Sequence, residues 1–116
     1  MVNDKKVVDA IFNELFFDNL PRYKDALSKS PDANKDVYAR ARNAIAKLEQ
    51  EDKDVVFDFF KIIIADTASV ILGTIDGSHF PNDIDGDFKL SYENEEIQGC
   101  LQDYFIARAE GINTYK

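Results

Sequence analysis

The stretch Val55 to Gly77, VVFDFFKIIIADTASVILGTIDG, limits what this chain can fold into more than any other. At roughly 100° per residue, Asp58, Lys61, Asp66, Ser69, Gly73 and Asp76 share one narrow stripe of a helical wheel. Val55, Val56, Phe57, Phe59, Phe60, Ile62, Ile63, Ile64, Val70, Ile71, Leu72 and Ile75 cover the rest. A helix apolar over most of its circumference is expected to be buried on several sides. A membrane span is disfavoured, because Asp58, Lys61 and Asp66 interrupt the run and ionised groups at bilayer depth are costly. Ile62 to Ala65 suits a strand locally, but length and the polar stripe favour helix. Asp52 or Asp54 is the expected N-cap, and Gly77 fits the left-handed position past the helix end. Gly73, at a cost of about 1 kcal/mol relative to Ala, predicts close approach of a neighbouring helix. Thr67 and Thr74 are expected to bond back to carbonyls one turn earlier.

Around this helix the spacing predicts a mainly α bundle in a single domain, residues 1–116, closed by a short C-terminal β-hairpin and a final helix. Val7, Val8, Ile11, Phe12, Leu15 and Phe16, with Leu20 at its end, make the inner face of a first helix over residues 4–20, which Pro21 ends or kinks. Arg22 to Ser28 continues as a short helix, with Tyr23, Ala26 and Leu27 facing in. Ser30-Pro31-Asp32 reads as a restart, with Ser30 as cap. The helix that follows runs to about Gln50 with Val37, Ala41, Ala44, Ile45 and Leu48 inward and an Asp36–Arg40 surface pair. Ser78 to Asp87 is a loop by composition. Phe88 to Tyr92 alternates as a half-buried strand, Glu93 to Glu95 is a turn, and Glu96 to Gln98 returns. Cys100 to Ala109 is a last helix with Leu101, Tyr104, Phe105 and Arg108 on one face, ended by Gly111. Phe17, Phe59, Phe80, Tyr92 and Tyr104 are aromatics that a core of this size does not obviously absorb.

The formal charge of −8 is unevenly spread. Residues 1–50 hold nine Lys/Arg and eight Asp/Glu, whereas residues 51–116 hold five and fourteen. From Asp76 to Glu96 there are seven acids against Lys89 alone. Nucleic-acid binding there is disfavoured, since phosphates need clustered Lys/Arg, and a basic partner or a cation is favoured. The single cysteine, Cys100, cannot form an internal disulfide and fits a reducing compartment. With no apolar leader in MVNDKKVVDA, a cytoplasmic location is expected.

Motifs for chemistry are sparse. Asp83, Asp85 and Asp87 alternate as hard-cation ligands do, but Phe88 occupies the position where a calcium loop needs Gly, and Asn94 the one where it needs an acid. His79 and Cys100 are too few for a zinc set and nothing places them together, so a loop histidine and a small buried thiol are expected. Asp58 and Asp66 lie about 12 Å apart along the helix. No phosphate-binding glycine loop or serine elbow occurs. No cofactor and no catalytic residue is expected.

The segment Ile71 to Phe105 resembles small bacterial proteins of uncharacterised or immunity type. The likeness lies in a long apolar helix ending Ile75-Asp76-Gly77, a strand Phe88-Lys89-Leu90-Ser91-Tyr92, and Leu101-Gln102-Asp103-Tyr104-Phe105. It implies a cytoplasmic protein that neutralises a cognate toxin, and transfers no functional residue. The leading expectation is thus a non-enzymatic protein-binding module that meets a basic toxin through Asp76, Phe80, Asp83, Asp85, Asp87, Tyr92, Glu93, Glu95 and Glu96. The alternative is a metal-binding or cation-dependent enzyme domain using Asp83, Asp85 and Asp87. A third expectation is a subunit whose apolar surface forms a homo-oligomer.

Overall fold

A computed structural model describes residues 2–33 and 35–116. Its helices are α1 (Val2–Asn13), α2 (Leu20–Ser28), α3 (Val37–Ala46), α4 (Gln50–Asp76) and α5 (Leu101–Gly111), with strands β1 (Ser91–Tyr92) and β2 (Glu95–Glu96) before α5. The expected mainly α architecture with a hairpin and a final helix is what the chain adopts.

Pro21 does not end the first helix. A π-helical segment, Glu14–Asn19, joins α1 directly to α2, and the Leu20 N–H bonds to Leu15 O five residues back. Proline removes an N–H and its ring crowds the preceding turn, and a wider turn relieves both. It also serves packing. Val8, Phe12, Phe16 and Leu20 are all buried, yet a strict spacing of four drifts about 40° per step around an α-helix. A turn that takes more residues reverses the drift and keeps all four on one face.

The restart at Ser30-Pro31-Asp32 is likewise displaced. Lys29 and Asp36 are extended, and Asp36 caps α3 by accepting from Ala39 N–H at 2.9 Å. The part of the expected helix at position 34 lies outside the described residues. Asp32 instead forms an ion pair with Arg42, and its backbone is held by Asn43. Asp36, spent as the cap, does not form the expected pair with Arg40. The residue α3 buries fully is Ala39, while Val37 and Leu48 are exposed.

The core unites Val8, Phe12, Phe16 and Leu20 with Ala65, Ala68 and Leu72 of α4, Ile97 after the hairpin, and Leu101, Phe105 and Ala109 of α5. Phe105 meets Phe12 at 5.6 Å and Phe16 at 6.2 Å between ring centroids. The hairpin turns on Glu93 and Asn94, both at positive φ, which matches the twist of a two-residue turn. Pairing Ser91 with Glu96 and Tyr92 with Glu95 sets the register, and Ile97 N–H to Leu90 O at 2.8 Å extends it. That register points Ile97 into the core.

The central helix differs most from expectation. It starts at Gln50 after Glu49, with no side-chain cap, so Asp52 and Asp54 lie inside its first turns. Gly77 closes it at φ 82°, as expected, with backbone bonds back to Gly73 and Thr74. It is not buried on several sides. Phe57, Ala65, Ala68, Leu72 and Gly73 are its buried residues. The C-terminal part of the polar stripe, Ser69, Gly73 and Asp76, is where α5 docks, whereas Asp58 and Asp66 face solvent. A Cβ on Gly73 would stand 2.6 Å from Gln102 Nε2. Gln102 donates to Ser69 O at 3.0 Å and accepts from Ser78 Oγ at 2.9 Å. Asp76 accepts from the backbone N–H of Gly99 and of Gln102, both at 2.7 Å. Polar complementarity chose this side, which leaves part of the apolar circumference uncovered.

Candidate functional site

The uncovered part of α4 is a ridge. Val55, Phe59, Ile63 and Ile71 are 63%, 56%, 50% and 56% exposed. With Thr67 they form an unbroken i+4 row, Val55–Phe59–Ile63–Thr67–Ile71, about 24 Å long at 1.5 Å per residue. Exposed Val70 lies beside it. The hydroxyl protons there are taken up within the helix: Thr67 donates to Ile63 O and Thr74 to Val70 O, both at 2.7 Å. The ridge therefore presents methyl and aromatic surface over several turns. Single exposed hydrophobics are ordinary, but a contiguous apolar patch marks an interaction site.

Beside the ridge runs a trough in two connected parts. One, of about 320 Å³, lies between α2, α3 and α4 and is lined by Tyr23, Leu27, Val37, Tyr38, Ala41, Phe60, Ile63 and Ile64. The other, of about 400 Å³, continues toward α1, with Ile11, Leu15, Thr67, Ala68, Ile71 and Leu72 among its walls. Tyr23, Ile63 and Ile64 belong to both. Tyr23, expected to face in, has its ring at this rim. On the other flank of α4 the C-terminal tail lies close to Val55, Phe59 and Ile62. There the Tyr115 phenol is pushed above its ordinary pKa, first by burial and then by the carboxylates of Asp66 and Glu110.

Neither part of the trough is lined by a carboxylate, lysine, histidine or cysteine. Such walls suit apolar side chains, with the hydroxyls of Tyr23, Tyr38 and Thr67 as their polar groups beside Asn19.

The acidic end is a different surface. Asp76 is committed to capping α5, because the residue at the cap position, Cys100, contributes no side-chain bond. Tyr92 is half-buried against the core with the Lys6 ammonium 5.7 Å from its ring centre, so its faces are largely spent. Glu95 accepts from Asn3 at 2.8 Å and Glu96 from Gln98 at 3.1 Å. Phe80, Asp83, Asp85, Asp87 and Glu93 remain exposed. Phe80 is 64% exposed, and Ile84 and Phe88 are also open, so the loop interleaves apolar and acidic side chains. Among the described residues no three His, Cys, Asp or Glu side chains converge as a metal site would require. His79 and Cys100 are both exposed, which corrects the expectation of a buried thiol.

The ridge was not singled out from the sequence. Phe59, an aromatic without an evident place in the core, was its one visible sign.

No protein-family model matches the chain, and neither a curated protein nor a solved structure matches it. Among the described residues no helix is long and apolar enough to cross a membrane.

Proposed function

We propose that this chain is a non-enzymatic protein-binding module whose working surface is the apolar ridge of α4 with the trough beside it. One observation carries the reading: the helix packs Ser69, Gly73 and Asp76 of its polar stripe against α5 and leaves Val55, Phe59, Ile63 and Ile71 outside. Burying apolar area is worth about 25 cal/mol per Å². A fold that leaves this much of it uncovered gains that energy when a partner arrives. Interface centres are apolar and aromatic, and Phe59, Tyr23 and Tyr38 supply that character here.

A photo-crosslinking side chain at position 63, in the cells that make this protein, tests the reading. Light-dependent covalent adducts with a protein are expected at position 63 and not at exposed Asp103. Their absence at position 63 contradicts it.

A second surface is supported by the interleaving of Phe80, Ile84 and Phe88 with Asp83, Asp85 and Asp87. Carboxylates around apolar anchors suit a partner rich in Lys and Arg, as a basic toxin bound by an immunity-type protein would be. Changing Asp83, Asp85 and Asp87 together to Asn is expected to slow association with such a partner and to weaken its salt dependence. An unchanged on-rate removes this surface from consideration.

A further inference from the structure

We infer that the occupant of the α4 ridge is a second copy of this chain, packed antiparallel across a two-fold axis at Ile63. The inference rests on the protein-binding reading above and adds the identity of the partner.

The first argument is area. The chain exposes 7942 Å², whereas a compact monomer of 13.2 kDa exposes about 6,400 Å². The excess, about 1,500 Å², is nearly twice the ~800 Å² that one partner gives up in a standard interface. Shape agrees. The radius of gyration is 17.4 Å with extents of 49 × 31 × 26 Å, against about 13 Å for a compact chain of this length. The excess is spread over the chain, the open loop 77–89 included, and the bare side of its longest helix is one part of it.

The second argument is self-complementarity. An i+4 row is the ridge that packs into the groove beside the same kind of row in the commonest class of helix pairing, with axes crossing near 50°. About an axis at Ile63, position 59 faces position 67 and position 55 faces position 71. Phe59 of each copy therefore meets Thr67 of the other, the smallest member of the row, beside the trough walled by Thr67, Ala68 and Ile71. Val55 meets Ile71. The large side chain has a hollow opposite it, and the same holds for both copies, as an isologous interface requires.

The third argument is charge. A chain of net charge −8 repels its copy, but not through this region. Residues 20–76, which supply α2, α3 and all of α4, carry nine Lys/Arg and ten Asp/Glu. The acidic excess sits mainly beyond Asp76, on the loop and hairpin. The exposed carboxylate of Asp66 borders the row near the axis on each copy, and the rest of this face is close to neutral, so like-charge repulsion there is small.

The experiment uses the full chain with Cys100, which is exposed, changed to Ser. In that background Ile63→Cys and Val55→Cys are made separately and oxidised mildly. Helix axes about 10 Å apart, the upper end of the usual spacing, with Cα atoms about 2.3 Å off axis bring facing Cα atoms to about 5 Å, within disulfide range. The two copies of position 55 stand about 24 Å apart in an antiparallel pair. Ile63→Cys is expected to form an intermolecular disulfide rapidly and Val55→Cys not. The parent chain is expected to sediment at twice 13.2 kDa. A monomer from micromolar to sub-millimolar concentration overturns the proposal. Rapid bridging at both positions overturns the antiparallel arrangement, and a dimer that bridges at neither overturns the face. Should the chain be monomeric while position 63 captures a different protein in cells, the protein-binding reading survives and self-association falls. No capture of any kind defeats both.

Discussion

Replacing Asp76 by Ala should destabilise the fold substantially, although the residue is near the surface and its side chain bonds to no other side chain. Its two carboxylate oxygens accept from Gly99 N–H and Gln102 N–H at 2.7 Å each. They do the work of an N-cap for α5, since Cys100 provides none. Bonds from backbone donors to an ionised acceptor contribute about 1.5–3 kcal/mol net, and a carboxylate at a helix N-terminus adds about 0.3–1 kcal/mol. Water reaches exposed Gly99 and recovers part of the loss. A cost of about 2–3 kcal/mol is expected for Asp76→Ala, and roughly half of that for Asp76→Asn, which keeps one neutral acceptor. Against a total of about 5–15 kcal/mol this is a large share, and it corresponds to a fall in Tm of roughly 8–12 °C. Urea unfolding followed by circular dichroism reads it, with Ile63→Glu in both proteins so that association does not enter. A loss under about 0.5 kcal/mol would refute the capping argument and return Asp76 to the acidic partner surface on which sequence composition had placed it.

Gly73→Ala sets a helix-propensity gain of about 1 kcal/mol against the two hydrogen bonds that pin Gln102, worth about 1 kcal/mol each. The single change should therefore be mildly destabilising. In a Gln102→Ala background it should become stabilising, which a double-mutant cycle by denaturant unfolding measures. Phe105→Ala, at the junction of Phe12 and Phe16 and fully buried, should cost about 3–5 kcal/mol in the same assay. Calcium, magnesium or manganese should leave the melting temperature unchanged, because the carboxylates of Asp83, Asp85 and Asp87 do not converge; a metal-dependent rise in a thermal melt would contradict that geometry.

Local chemistry explains what was legible in the sequence. Gly77 ends α4 because only a residue tolerant of positive φ closes a helix that way, and of the face expected for α5 Leu101 and Phe105 are buried, whereas Tyr104 and Arg108 are only half-buried and Ala109 takes the third buried place. The alternation of Phe88, Leu90 and Tyr92 located the hairpin, although Phe88 proved open to solvent. What was not legible depended on long-range pairing. A helix apolar over most of its circumference carries no periodic signal to say which side is buried. The side was decided by Gln102 and by the backbone of α5, partners from distant sequence, through Ser69, Gly73 and Asp76. For the same reason the ridge at Phe59 and Ile63 could not be separated from core residues of identical type. At Pro21 the rule that proline ends helices met a competing demand. Keeping Phe16 and Leu20 on one buried face favoured a π-helical turn over a break. Asp76 shows the limit of counting charges, since a carboxylate spent on backbone donors adds to net charge and little to a docking surface.

The central claim is that the outward ridge of α4 is an interface between copies. Sedimentation equilibrium of the parent chain beside Ile63→Glu tests it most directly, because Ile63 is half exposed and its change leaves the core of each copy intact. Two carboxylates brought together on the two-fold axis would oppose association strongly. The account predicts a parent mass of twice 13.2 kDa and a folded variant of 13.2 kDa. A mass of 13.2 kDa for both proteins, or of twice that for both, would contradict it.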